Sequence, residues 1–379
     1  MFSFLKRLFK PKVAPMNVIH INKKVLLDNF VYLKTLKPQA RLFPVIKSNA
    51  YGHGLDQFLK VYKSVDVPYV VVDSFPEYSI VVRHSRHNVL LLGETLSQNY
   101  KEFDLKRTAF SVYNVETLKA LAKLKRNLKV HLFLNTGMHR EGIQVEMLPN
   151  VLEMLKRYPK IEVEGVMSHL YGADTPNSQG MQSQIEQFKL MYYQVLEYGH
   201  TPKWRHIGNS AGLLKIEDDF FNAYRPGLAL YGYNPLSVKD SDFEKGERLQ
   251  PALSLSSVLI SLNQVKNSEG VSYAPQWKND KDMVLTATIP FGYAEGLPRN
   301  LREKISYRWE GEFCAQIGTI CMNLSICEGK ENMQIGDQIW LIEKEKDSLL
   351  SVEKVAKAAN MITYEFLVGL DKGIRREVE

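Results

Sequence analysis

The sequence predicts a closed (β/α)8 barrel followed by a smaller, β-rich second domain. Between Leu42 and Tyr231 short apolar runs alternate with stretches of helical spacing. Eight such runs can be counted, the number that a closed barrel requires. Beyond a charged stretch near residue 240 the pattern changes to short alternating strands separated by glycine-containing turns. An open doubly wound sheet is the competing arrangement of the same runs. In residue numbers the reading is a basic tail over 1–16, a barrel over 17–240 and a β domain over 241–379.

The first run, Leu42 to Ile46, ends at Lys47 and passes at once into Ser48, Asn49, Tyr51, Gly52, His53 and Gly54. That is the profile of a buried strand ending in a loop. A lysine at such a junction sits at the mouth of a core, where desolvation lowers its pKa and frees the amine to attack a carbonyl. Lys47 is therefore the candidate covalent residue. The other strands are expected at Pro68–Val72, Val89–Leu92, Ala109–Val112, Val130–Leu134, Val163–Met167, Trp204–Ile207 and Leu228–Tyr231. Asn114–Arg126, Val145–Arg157 and Ser183–Tyr198 carry helical spacing, with Asn114 as a capping residue and Gly199 as a stop.

In barrels of this kind catalytic groups gather at the C-terminal ends of the strands. Here Lys47 follows strand one, NTGMHREG (135–142) follows strand five and His169 follows strand six. HIGNSAG (206–212) follows strand seven and YRPGLALYG (224–232) straddles strand eight, so the polar residues share one rim. Leu236 to Leu249 reads as a linker or exposed loop. Strands at Ser254–Ile260, Val284–Ile289, Glu312–Ile317 and Gln338–Ile342, with a helix at Ser351–Asn360, fill the second domain.

At 379 residues and 45% hydrophobic content the chain can bury a sizeable core. Its net charge of +7 comes from scattered lysines and arginines with no nucleic-acid signature, so the partners expected are anionic small molecules. Three cysteines without a CxxC spacing indicate neither a disulfide framework nor a zinc site, and no metal is expected. A reducing, cytoplasmic setting follows. MFSFLKRLFKPK has no continuous apolar core or small-residue cleavage site, so it reads as a frayed basic tail, and no stretch is long enough to span a membrane.

VIKSNAYGHG (45–54) resembles the pyridoxal phosphate attachment motif of the alanine racemase family, in which the lysine carries the cofactor and the tyrosine four residues on helps bind its phosphate. The resemblance assigns those roles to Lys47 and Tyr51. It places the rest of the phosphate cradle at Asn209, Ser210, Gly227 and Leu228. YRPGLALYG resembles the motif whose arginine faces the pyridine nitrogen, which implies that role for Arg225, steadied by His206. An arginine cannot release its proton, so the ring nitrogen stays neutral and side reactions are disfavoured.

Further motifs occur in the family's order. VSYAPQW (271–277) resembles the segment that supplies a catalytic tyrosine, here Tyr273, from a partner subunit, which implies a homodimer with shared active sites. The unperturbed pKa of tyrosine is near 10, and His169 with Arg225 would supply the positive surroundings that a tyrosine base demands. IPFGYAEGLPR puts Tyr293 at a substrate gate, GTICMNLS puts Met322 at the substrate carboxylate, and TYEF puts Tyr364 near the phosphate. The resemblance runs from Asn17 to Arg376. It implies racemisation of a small amino acid, alanine first, by Lys47 and Tyr273 acting on opposite faces, as a source of D-alanine for peptidoglycan.

There are departures from the family pattern. The usual strand-five turn is close to KxDTGMxRxG, and this chain has FLNTGMHREG. Arg140, which in the family meets the cofactor's phenolic oxygen and the substrate carboxylate, is kept. Phe133 replaces a lysine that many members carboxylate to hold that arginine, Asn135 replaces an aspartate, and Asn323 replaces the aspartate that follows the Cys-Met pair. Three expectations follow: Arg140 is held by an inorganic anion or by Asn135, the pocket takes another amino acid such as serine, or catalysis is impaired. The competing classes are a basic amino acid decarboxylase, which generally presents an acidic partner to the pyridine nitrogen, and a non-catalytic pyridoxal phosphate carrier, which lacks a second domain.

Overall fold

The computed structural model describes residues 13–176, 179–266, 269–273 and 281–379. Residues 1–12 of the basic tail and Ala274 to Trp277 of the VSYAPQW segment lie outside them. The chain divides into two compact units, Lys23–Ala252 and a second made of Met1–Asn22 with Leu253–Glu379.

Numbered along the chain, β1 is Val18–Ile21 and the barrel strands β2 to β9 are Arg41–Leu42, Val70–Val72, Val89–Leu91, Thr108–Val112, Leu128–Phe133, Ile161–Met167, Trp204–His206 and Ala223–Tyr224. β3 to β8 form one parallel sheet in sequence order. β2 pairs with β9 in parallel, and Val45 bridges to Val71 of β3. The Arg225 N–H donates to the Gly208 carbonyl at 2.9 Å, joining β9 to the end of β8 and completing a ring of eight strands. Parallel strands covered on both faces read as unbroken apolar runs, and β3, β4 and β5 are buried at every position. Phe43, Tyr69, Val71, Leu90, Phe133, Met167 and Trp204 fill the interior.

Two sequence expectations for this unit are corrected. Leu228–Tyr231 is a 3-10 turn, and the eighth strand is the shorter Ala223–Tyr224. Pro226 has no N–H to give a ladder, and Gly232 ends the turn at φ 96° against the Gln250 carbonyl, so the apolar run is buried without being extended. The segment Leu236 to Leu249 is no linker. Asp240 is buried in an ion pair with Lys215 at 2.6 Å, Lys245 pairs with Glu217 and Asp242, and Leu249 is fully buried, so its charges are spent against the barrel.

The second unit is built on a nine-stranded sheet. β1 lies within it, antiparallel to Leu253–Val258 and parallel to Arg375–Val378. Residues 18–21 thus belong to the sheet-rich unit and the chain enters the barrel only at Lys23, where the sequence reading had given the barrel everything from residue 17. The strand fell outside that reading because VIHI is only four residues long and its partners lie more than 200 residues away.

Breaking the buried Asp240–Lys215 pair would strand an ammonium in a dry site. Asp240→Ala should lower unfolding free energy by about 3 kcal/mol, read as a lower urea midpoint with an unchanged m-value.

Candidate active site

Lys47 leaves the first barrel strand and enters a backbone turn of the wrong hand. Ser48, Asn49, Ala50 and Tyr51 have φ of 53°, 57°, 53° and 50°, a left-handed helical turn made of ordinary L-residues. Each such residue costs roughly 1–2 kcal/mol, so the surroundings must impose it. They do so with directed hydrogen bonds. The Glu77 carboxylate accepts from the Ser48 N–H at 2.6 Å and the Asp73 N–H at 2.9 Å, while Asn49 Oδ1 accepts from the Leu55 N–H at 2.9 Å. Gly52 and Gly54 then carry the chain away at φ 80° and 95°.

The turn sends two side chains in useful directions. Lys47 Nζ lies 3.4 Å from Asp73 Oδ1 with its side chain 37% exposed, so the burial that the sequence reading relied on is not what surrounds this amine. The Tyr51 ring stacks on Tyr231 with centroids 5.1 Å apart. Its hydroxyl is held against Gly227, where a Cβ would come within 2.3 Å of Tyr51 Oη. Ser210 Oγ, buried beside them, accepts from the N–H groups of Gly227 at 2.9 Å and Ala229 at 3.2 Å. Asn209 caps the helix Ser210–Lys215 by accepting from the Gly212 N–H at 3.0 Å. Tyr51, Asn209, Ser210, Gly227 and the neighbouring Leu228 thus come together as a cradle of hydroxyls and backbone N–H groups.

Beside the cradle Arg225 is buried to 3% exposure with no carboxylate in contact among the described residues. Its Nη1 donates to His206 Nδ1 at 2.6 Å and to the His206 carbonyl at 3.0 Å, and Nη2 donates to the Ser168 carbonyl. Burial pulls its pKa down to about 10, which leaves it charged at neutral pH. Burial, then the charge of Arg225, holds His206 well below the usual histidine range, so this imidazole is neutral. His169 is pushed down to about 3 by burial and by the cations of Arg225, Arg140 and Lys47. The sequence reading used His169 as a positive neighbour for a tyrosine base; the ring is instead neutral, because burial, reinforced by the three cations in its field, opposes its charge.

Asn135, one of the two anchors expected for Arg140, is turned to other work. Asn135 Oδ1 accepts from the N–H groups of Gly137 and His139, both at 3.1 Å, so this side chain is spent on shaping the turn. Phe133 is buried in the barrel core, with its ring 5.0 Å from that of Tyr113. Arg140 meets the next residue in the chain, donating from Nε and Nη2 to the two Glu141 oxygens at 2.5 and 2.6 Å.

The other predicted site residues belong to the second unit. Tyr273 is 77% exposed, and Met322, Tyr293 and Tyr364 are exposed too. The Tyr293 N–H donates to the Cys321 carbonyl at 3.1 Å and the Ala294 N–H to the Met322 carbonyl at 2.8 Å, so the Tyr293 and Met322 loops are one structure. Ser272, next to Tyr273, is tied to the same region by the Thr319 carbonyl at 2.8 Å. Asn323 donates to Glu295 at 2.8 Å.

Sequence reasoning missed Asp73, Glu77 and Glu141. Of these only Glu77 carried a signal, since Ser74-Phe75-Pro76-Glu77 is a capping-box pattern. Asp73 matters through Lys47, 26 residues back, and Glu141 through the adjacent Arg140, contacts that pattern reading does not connect.

A model of the alanine racemase N-terminal domain matches residues 21–235, and a model of the alanine racemase C-terminal domain matches residues 252–378. The chain belongs to the alanine racemase family. Curated relatives include an alanine racemase of Clostridium novyi, 28% identical over 370 residues that span 94% of this chain and 93% of that one. An alanine racemase of Helicobacter pylori is 28% identical over 375 residues, spanning 94% and 97%. Among solved structures the alanine racemase of Bacillus anthracis with bound L-Ala-P superposes with a TM-score of 0.89 at 26% identity, covering 97% of this chain and 96% of that one. The Streptomyces lavendulae alanine racemase shares the fold with a TM-score of 0.89, at 23% identity and 97% and 98% coverage.

The residues present fit the cofactor that membership in the alanine racemase family implies. A phosphate needs close backbone approach and several donors. Gly227, where a Cβ would strike Tyr51, together with Ser210 and Tyr51, supplies them. An aldehyde needs an accessible amine, and Lys47 offers one. Gly227→Ala should displace the Tyr51 hydroxyl and weaken pyridoxal phosphate uptake by the apoprotein by about tenfold or more, measured by fluorescence titration, with the melting temperature changed by only a few degrees.

Proposed function

We propose that the protein interconverts L- and D-alanine with pyridoxal phosphate as cofactor, in a homodimer whose two sites each take a residue from the other copy. The observation that carries this reading is the convergence, on one barrel rim, of an accessible lysine, a phosphate-shaped cradle and a buried guanidinium with no carboxylate partner among the described residues. When bound, the cofactor supplies an electron sink that acidifies the substrate's Cα–H. Lys47, Tyr51, Asn209, Ser210, Arg225, Gly227 and Leu228 would hold it, with Tyr364 near its phosphate.

The chain's own residues divide the remaining work. Lys47 Nζ takes or returns the α-proton on one face, and the phenol of the partner subunit's Tyr273 does so on the other. Asp73, 3.4 Å from Nζ, orients the amine. Arg225 keeps its proton instead of passing it to the ring nitrogen it would face, which limits how far negative charge spreads away from Cα and so favours return of a proton to that carbon. Arg140 and the Met322 backbone receive the substrate carboxylate, and Tyr293 narrows the entrance. His169, being neutral, adds no charge of its own to the site. The exposure of Tyr273 supports its delivery to a second copy, since a tyrosine spent on its own core would be covered.

Glu141 bears on the substrate question. It gives Arg140 a carboxylate partner where Phe133 cannot, which supports retained activity toward alanine over impaired catalysis. A pocket tuned to serine is the second reading. It is favoured by the loss of negative charge at Asn135 and Asn323. A cytoplasmic setting and a role in supplying D-alanine for peptidoglycan accord with this reading. Among the described residues no helix is long and apolar enough to cross a membrane.

Borohydride reduction followed by peptide mapping should place the pyridoxyl group on Lys47, and turnover should be fastest with alanine among alanine, serine, lysine and arginine. Inertness toward all four would overturn the assignment. Lys47→Ala and Tyr273→Phe should each abolish most activity, and mixing the two inactive proteins under exchange conditions should restore roughly a quarter of the wild-type rate, because half of a random mixture is heterodimer with one complete site. No recovery would refute shared sites.

A further inference from the structure

Arg225 is the inner end of a line of buried polar groups that the proposed reaction does not use. His206 Nε2 lies 2.7 Å from His131 Nδ1, and His131 Nε2 lies 3.4 Å from Glu164 Oε2. Both imidazoles are fully buried and the Glu164 side chain nearly so. Tyr69 Oη and Lys129 Nζ also reach Glu164, each at 2.5 Å, and Lys129 is the only half-exposed member of the line.

Two features of the backbone exist to accommodate it. β6 and β7 pair Val130 with Val163 and then His131 with Gly165, so Glu164 is the extra residue of a bulge. Bulges re-aim side chains, and this one delivers a carboxylate to His131, Tyr69 and Lys129. The next residue is Gly165, where a Cβ would stand 2.5 Å from His131 Nδ1. A side chain there would evict the ring.

The proton positions along the line are forced by chemistry. A guanidinium only donates and a carboxylate only accepts. His206 must therefore accept at Nδ1 and donate from Nε2, and His131 must do the same. Both rings are neutral, being held below the usual histidine range chiefly by burial. Burial opposes ionisation of Glu164, but hydrogen bonds from His131, Lys129 and Tyr69 outweigh it and hold the carboxyl at about 2. All donors point from Arg225 toward Glu164, and each bond in such a chain polarises the next.

We propose that Glu164 and His131 are positioning residues for Arg225: the carboxylate, acting through two imidazoles aligned in one sense, fixes the His206 lone pair on which the guanidinium is seated. The carboxylate balances the buried cation from a distance of two rings. A direct Arg–carboxylate pair would cancel the charge where it is used; the relay leaves it intact and sets its orientation. This rests on the reading that Arg225 faces the reacting centre.

The first test needs no variant. With the nine histidines labelled in nitrogen-15, long-range proton–nitrogen correlation at pH 7 should show His131 and His206 as neutral rings protonated on Nε2. A His206 proton on Nδ1 would overturn the proposal, whatever substrate the enzyme uses. Glu164→Gln offers both a donor and an acceptor, so it should release the constraint, mixing the tautomers of His131 and His206. It should lower kcat by about tenfold with KM changed less than about twofold. Glu164→Asp should restore the wild-type tautomers and part of kcat. Loss of melting temperature with tautomers and kcat unchanged would make Glu164 a merely structural residue and sink the idea. Racemase inactivity with the predicted tautomers would instead fault the assigned reaction and leave the relay standing.

Discussion

A positive charge taken almost wholly out of water is the constraint around which the barrel rim is arranged. Arg225 is fixed by a neutral imidazole and by carbonyl oxygens of residues 168, 206 and 207, with no acid in contact among the described residues. Removing a cation from water is costly unless every N–H finds an acceptor. The ends of β7 and β8 supply those acceptors, because in a parallel barrel the last carbonyls of neighbouring strands point the same way. His169 and His206 are neutral chiefly because they are buried, and the Arg225 charge adds to that effect. One ion is kept, and the bases around it carry no charge.

Strain is the second theme. The turn after Lys47 places four L-residues in the left-handed region, a conformation that no local preference supports. It persists because Glu77 and Asn49 bind backbone N–H groups that only this geometry presents, and because Ala50 is fully buried. The energy comes from tertiary structure, and what it secures is direction: the amine toward Asp73 and the phenol toward Gly227. The accord between these local devices and the proposed chemistry is why the rim reads as one site.

Much of this was legible in the chain itself. Strands β3 to β5 stand out because burial on both faces erases the polar alternation that would blur them, and Asn114 caps its helix as its side chain suggests, accepting from the Thr117 N–H at 2.8 Å. The polar residues at the strand ends could be read as one rim because barrel order fixes where each falls. The failures have physical causes. Leu228–Tyr231 is apolar because it is enclosed, and enclosure does not distinguish a 3-10 turn from a strand. Asp240 and Lys245 looked solvated because a sequence does not reveal that a charge has found its opposite 25 or 28 residues back. The anchor of Arg140 was sought in Asn135 or an inorganic anion, while the carboxylate in contact is the adjacent Glu141.

The mirror-hand turn has one further consequence, for the order in which the molecule acquires its competence. An isolated peptide with the sequence of residues 47–51 would populate the ordinary right-handed or extended basins, so the lysine and tyrosine cannot find their bearings until the Phe75–His84 helix delivers Glu77 and the last barrel strand delivers Gly227. The contact with Gly227 spans 176 residues, among the latest that a folding chain can close. The proposed grip on a phosphate would thus mature after the barrel does, and a nascent or half-assembled chain would lack it.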